Sequence, residues 1–315
     1  MTIASASFSR LALRLLAGLA ACAALASPAH AGPVLNRIQA TGVFKMGYRP
    51  NGVPFSWETS PGAATGYAPD ICQRIAAGIA AHLKLPKLQV QAVPVLESTR
   101  IPAVVNGEID MECAGTTNNK ARREQVAFGL AYFYAGSALM VREGSGITGL
   151  SGLRGKNLGV LEGATGNQII DIHKNRSGGW TLKTFKSMRE ATTALERGEI
   201  DALLDDDVTL LTIAAQSGGK FSVPAQRYSI EPLAPMFSKS DPELERVVLQ
   251  IMQQLYRDGE MDAIYKRWFL SPLPGLGYNL NLKMGALLQD NLRRPTAYVT
   301  EDRKSTRLNS SHEPL

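Results

Sequence analysis

Short apolar runs alternate with helical patterns from Val34 onward, and a chain patterned this way has to stack helices on sheets. Val43 to Tyr48 reads as a strand and Asp70 to Leu85 as a helix with Ile71, Ile75, Ile79 and His82 on one stripe. Leu88 to Val95, Ile109 to Glu112 and Leu139 to Val141 read as further strands. A short helix starts near Arg100, so the sheet is expected to be at least partly parallel. A second α/β run follows Glu143-Gly144-Ser145-Gly146. It has strands at Leu158 to Leu161, Leu182 to Phe185 and Ile200 to Leu204, and helices from about Thr165 to Lys174 and from Glu190 to Arg197. After Pro232 come two amphipathic helices, Pro242 to Asp258 and Glu260 to Phe269, with no strands beyond them; their simplest core is that of the first run. The expected organisation is a first lobe made of residues 32–139 and 234–290, with a second lobe, 140–233, inserted into it. The chain crosses between them near Tyr134 to Val141 and near Glu231 to Phe237. Two crossings make a hinge, and the cleft between hinged lobes is where a small ligand would sit.

The two ends are set apart from this body. Arg10 and Arg14 flank an apolar stretch, Leu15 to Leu25, that leads to Pro28 and Ala29-His30-Ala31. That pattern predicts a secretion signal, residues 1–31, cleaved after Ala31; the stretch is too short for a comfortable membrane span. The alternative is a lipoprotein box, Leu19-Ala20-Ala21-Cys22, that would leave a lipidated Cys22. Residues 291–315 read as a tail, of which 302–315 resemble a translated sequencing adapter. Losing the signal removes two of the 34 basic residues and none of the 28 acidic ones, so the mature chain is mildly basic. Without an arginine- or lysine-rich run, nucleic acid is not an expected partner. Cys72 and Cys113 remain in an oxidising compartment, where an even pair reads as one disulfide; two separate buried thiols are the alternative.

Enzyme signatures are missing: there is no G-x-S-x-G elbow, no H-E-x-x-H and no C-x-x-C. No metal site and no cofactor are expected. What the sequence offers instead is polar groups suited to a zwitterion. A carboxylate is best met by a guanidinium and hydroxyls, an ammonium by a carboxylate. Thr116-Thr117-Asn118-Asn119-Lys120-Ala121-Arg122 follows a strand end, Gly163-Ala164-Thr165 makes a strand-to-helix turn, and Asp205-Asp206-Asp207 closes another strand. From the residues alone an ordinary reading is open: Thr117 and Asn118 as helix caps, Arg122 and Arg123 solvated, the aspartates starting a helix at Val208.

Taken together, several segments resemble the bacterial solute-binding proteins of family 3, within it the glutamate/aspartate binders of ABC uptake systems. They include Gly47-Tyr48-Arg49, Asp70-Ile71-Cys72, Arg100-Ile101-Pro102, Asp110-Met111-Glu112-Cys113, Thr116-Thr117-Asn118-Asn119, Asp206-Asp207 and Trp268-Phe269. The likeness runs from about Leu35 to Leu288. It implies a type II periplasmic binding protein fold and a Cys72–Cys113 disulfide. It further implies that Arg122, Thr117 and Gly115 hold a ligand α-carboxylate with help from Thr165, and that Asp206 takes the α-ammonium. Arg49 and Arg100 look like the family's side-chain pocket, which points to a carboxylate-bearing side chain. Two positions depart from the acidic-amino-acid binders: Met188 stands where they carry a ligand-contacting His, and Glu97 where they carry a Ser. Glu97 could neutralise an arginine and move preference toward glutamine or asparagine. The implied partners are a free amino acid and the membrane permease of an ABC importer. The implied location is the periplasm and the implied state a monomer. The rival is a dehydratase of cyclohexadienyl amino acids on the same fold, with Glu97 as its acid.

Overall fold

The computed structural model describes residues 32–177 and 179–297. The signal expected at residues 1–31, including Cys22 and the Ala31 cleavage site, and residues 298–315 of the tail expected at 291–315 lie outside the described residues, while the start of that tail continues a helix to Arg293.

The first half runs α1 (Pro33–Thr41), β1 (Val43–Tyr48), β2 (Asn51–Gly52), β3 (Ser56–Glu58), β4 (Ala64–Thr65), α2 (Tyr67–His82), β5 (Gln89–Pro94), α3 (Arg100–Val105), β6 (Met111–Glu112), α4 (Lys120–Arg123), β7 (Val126–Phe128) and β8 (Phe133–Ala135). The second run holds β9 (Ser137–Arg142), β10 (Asn157–Leu161), α5 (Gly166–Ser177), β11 (Thr181–Phe185), α6 (Met188–Glu196), β12 (Ala202–Asp206), α7 (Asp207–Gln216) and β13 (Phe221–Ser222). It is followed by β14 (Glu231–Leu233), β15 (Met236–Ser238), α8 (Pro242–Arg257), α9 (Glu260–Phe269) and α10 (Ala286–Arg293).

Two five-stranded sheets result, one ordered β5-β1-β6-β15-β7 and the other β11-β10-β12-β9-β13. In the first, β1 runs parallel to β5 and β6 while β15 is antiparallel to both its neighbours. In the second, β10 is parallel to β11 and β12 while β9 runs against β12. Between them lies a two-stranded antiparallel ladder of β8 and β14, with Glu231 opposite Ala135 and Leu233 opposite Phe133. The molecule is therefore two α/β lobes joined by two strands.

The stripe Ile71, Ile75 and Ile79 of α2 is buried among Phe44, Val247, Val248, Met252 and Phe269, so α8 and α9 share one core with the first sheet. The second sheet has apolar clusters on both faces, as parallel strands require. His82 does not join the α2 stripe: the buried residue at that end is Leu83, and His82 sits at the surface 3.6 Å from Glu243. A step of four from Ile79 and a step of three are both compatible with a 3.6-residue turn, and packing selected the four. None of the described helices is long and apolar enough to cross a membrane.

Candidate functional site

Five strands aim their carboxyl ends at the gap between the lobes, the location where open α/β sheets place ligands. Arg49 follows β1, Glu97 lies beyond β5, and Gly115 to Arg122 follow β6. From the other lobe, Gly163 to Gly166 follow β10 and Asp205 and Asp206 end β12. Arg49, Arg100, Gly115, Thr117, Arg122, Thr165, Asp205 and Asp206 line one shared, narrow cleft. The loop after β6 is anchored at its root: Cys72 of α2 and Cys113 form a disulfide, with Cα atoms 6.2 Å apart.

The helix-capping reading of these residues fails on specific atoms. The side chain that caps α4 is Asn119, accepting the Arg122 N–H at 3.0 Å, which leaves Thr117 and Asn118 for other contacts. Asp206 occupies the N-cap position of α7 yet makes no capping hydrogen bond. Of the aspartate triplet, Asp207 is the structural member. Its carboxylate accepts from the Val208 N–H at 2.8 Å and pairs with Arg227 at 2.7 Å.

Three guanidinium groups come from the first lobe. Arg122 donates to the Thr117 carbonyl at 2.9 Å and, across the cleft, to the Gly163 carbonyl at 2.9 Å. Burial, with the Arg100 charge adding to it, pulls Arg122 down to about 9 against the pull of Glu231, Asp206 and Glu112. Arg49 donates to Glu97 at 2.7 Å and to the Gly115 carbonyl at 3.2 Å. A Cβ on Gly115 would lie 2.7 Å from that guanidinium, so only glycine lets Arg49 rest on the loop. Arg100 is 2% exposed and reaches Gly163 at 3.4 Å, but its Nε and one terminal nitrogen have no hydrogen-bond partner among the described residues. Burial and the Arg49 charge lower its pKa, opposed by Glu112, Glu97 and Asp206. For Glu97, burial acts upward, but Arg49 and Arg100 outweigh it and hold the carboxyl below its ordinary range.

The second lobe supplies the negative side. Burial, together with Glu97 and Glu231, pushes Asp205 up to about 6 despite Arg49. Burial, Glu231 and Asp205 raise Asp206 well above the usual carboxylate range.

Three expected residues lie off the cavity lining, Glu97 among them, paired with Arg49. Met188 packs in a core cluster of the second lobe and lines a separate interlobe groove with Asn51, Trp57 and Arg189, outside the cleft lining. Thr116 is fully buried, its side chain against Glu112. Conversely, three acidic residues were given no role of their own by the sequence, Asp205 being named there only within its aspartate triplet. Asp205 lines the cleft. Glu112 is fully buried, its pKa raised by burial against the pull of Arg100, Arg49 and a Thr116 hydrogen bond. Glu231, 3% exposed, accepts from the Thr117 and Thr165 hydroxyls, each at 2.7 Å. A lone acid in the apolar stretch Ile230 to Phe237 was the available signal for Glu231, and one at the end of a buried strand for Glu112. No group of three or more His, Cys, Asp or Glu side chains suited to a metal occurs among the described residues.

The arrangement can hold one small molecule by two opposite charges from two lobes. Known proteins share the sequence and the fold that carry it. The L-glutamate/L-aspartate-binding protein of Pseudomonas aeruginosa is 31% identical over 299 residues, covering 93% of this chain and 99% of its own. Among solved structures, an ancestral arginine-binding protein bound to glutamine matches with a TM-score of 0.66 and 28% identity, covering 73% of this chain and 99% of that one. An ancestral amino-acid-binding protein, a precursor of cyclohexadienyl dehydratase, matches at 0.64 with 26% identity over 74% of this chain and 98% of that one. Residues 44–271 match the family of bacterial extracellular solute-binding proteins, family 3, and over so large a share of the sequence the match makes this chain a member of that family.

Proposed function

We propose that the chain is the substrate-binding subunit of an ABC-type amino-acid importer, secreted to the periplasm, and that it captures a polar, acidic amino acid, glutamate or aspartate, in the interlobe cleft. The observation that carries the reading is the facing of Arg122 on one lobe and Asp206 on the other across one cavity. A free amino acid bridging them favours the closed arrangement by its differential affinity, and the closed molecule is what a membrane permease would read. Arg122, with Thr117, Gly115 and Thr165 around it, serves the α-carboxylate; Asp206 serves the α-ammonium; Arg49 and Arg100 serve the side chain. The dehydratase alternative asks Glu97 to donate a proton, and a carboxyl held below its usual range beside two arginines is a poor donor.

A thermal-shift screen of the twenty amino acids tests this, since a ligand that binds only the folded protein raises its midpoint by mass action. Glutamate or aspartate is expected to give the largest rise, and Arg122→Ala to abolish every rise. A rise with only glutamine, asparagine or a basic amino acid sinks the acidic assignment, and turnover of arogenate or prephenate sinks the transport one.

A further inference from the structure

Glu231 gathers four hydroxyls from four places in the fold. One carboxylate oxygen accepts from Thr117 of the first lobe and Thr165 of the second, each at 2.7 Å. The other accepts from Ser229 at 2.7 Å and from Ser137, which lie on the two segments crossing between the lobes. The side chain stands on β14, one of the two strands that join the sheets. A buried carboxylate with both oxygens satisfied this way is held in place far more firmly than a surface acid.

Thr117 and Thr165 line the ligand cleft, and the same pair with Glu231 lines a second groove of about 670 Å³ on the outer side. The three side chains are thus the wall between cleft and groove. That wall exists only while the lobes are together, because Thr165 arrives with α5 of the second lobe and Thr117 with the loop after β6 of the first. Outside these three residues the ties between the lobes include the Arg122 and Arg100 bonds to Gly163 and that of Arg189 to Asn51 at 3.1 Å. Of all these contacts, only Glu231 acts from the hinge itself.

We propose that Glu231 is a positioning residue that couples the cleft to lobe closure, a hinge-borne clasp that brings one hydroxyl from each lobe to a single oxygen. That the clasp serves ligand capture rests on the amino-acid-binding reading; that it holds the lobes together does not.

The test is therefore made on ligand-free full-length protein, by pulsed EPR distances between spin labels placed at the exposed Glu108 of the first lobe and Lys186 of the second. Wild type is expected to show a closed population. Glu231→Ala should reduce its ratio to the open form about tenfold, the scale of one charged hydrogen bond. Glu231→Gln, which keeps an acceptor oxygen, should retain it. Thr165→Val should cause a loss like that of Glu231→Ala, and the double variant should lose no more than Glu231→Ala alone, because both changes cut one contact. Should Glu231→Ala fail to fold, Thr165→Val and Glu231→Gln carry the comparison. An unaltered distance distribution in Thr165→Val, additive losses in the double variant, or a wild type with no closed population overturns the proposal. Failure of the amino-acid reading would appear instead in the thermal screen and leave these distances untouched.

Discussion

Arg49 and Arg100 are not equivalent toward a ligand. The first spends one terminal nitrogen on Glu97 at 2.7 Å, whereas the second keeps two nitrogens unpartnered in a buried position. A buried donor without an acceptor is costly, and an incoming carboxylate would relieve that cost. Glu97→Ser should free Arg49 and raise the preference for glutamate and aspartate over their amides by about tenfold, the scale of one charge-assisted hydrogen bond. Calorimetric titration with all four amino acids reads it, and unchanged ratios would show that Glu97 does not tune the pocket. The raised aspartates predict a pH dependence. An ammonium needs an ionised partner, and Asp206, its proposed partner here, is raised by burial, Glu231 and Asp205, so affinity should weaken as pH falls through that raised range. Stability of the ligand-free protein moves the other way. A folded-state pKa above the unfolded value of about 3.9 means that the native state holds a proton the unfolded chain has released, so this contribution declines as pH rises across that window. Asp205→Asn should flatten both slopes; melting curves and titrations at pH 5 and pH 7.5 that keep the wild-type slopes would refute the assignment.

At the scale of elements, one carboxylate starts two helices. Asp241 is fully buried; it accepts the Leu244 N–H of α8 at 2.9 Å and the Val34 and Leu35 N–H groups of α1 at 2.9 and 3.1 Å. It thereby pins the first helix to the last third of the chain. Asp241→Ala leaves the first-turn donors of both helices without partners and should cost about 2 to 4 kcal/mol. Denaturant unfolding measures this, with amino-acid affinity unchanged because the cap is remote from the cleft. A cost below that of a single cap would mean that α1 finds other acceptors.

For the molecule as a whole, closure depends on one close backbone approach. Gly163 has φ +77°, and a Cβ there would sit 2.7 Å from the Glu97 carbonyl oxygen and 2.9 Å from the Ser98 Cα, both on the opposite lobe. The left-handed conformation charges an alanine about 1 to 2 kcal/mol in any state, but the clash arises only when the lobes meet. Gly163→Ala should therefore weaken amino-acid binding by more than tenfold, roughly the effect of 1.4 kcal/mol, while the ligand-free melting temperature drops modestly. Small-angle scattering should find the variant open in the presence of amino acid. Wild-type affinity in a folded Gly163→Ala protein would mean that the lobes meet differently.

The α/β alternation, the strands leading to Arg49, Thr117 and Asp206, and the amphipathic α8 and α9 were legible because each is written in local periodicity over a handful of residues. Pro33 is a start signal that could have revealed α1, yet its helical stripe, Leu35 and Ile38, is too short to stand out from the strand pattern around it. The β14 and β15 strands, three residues each, carry no period at all. Charge pairing was less legible still. Nothing local says that Glu97 faces Arg49, that Met188 turns into its own lobe's core, or that Glu231 collects hydroxyls from both lobes. Those facts depend on which strand ends converge, and that is decided by packing the two sheets against each other across a cleft, with partners up to 114 residues apart in sequence.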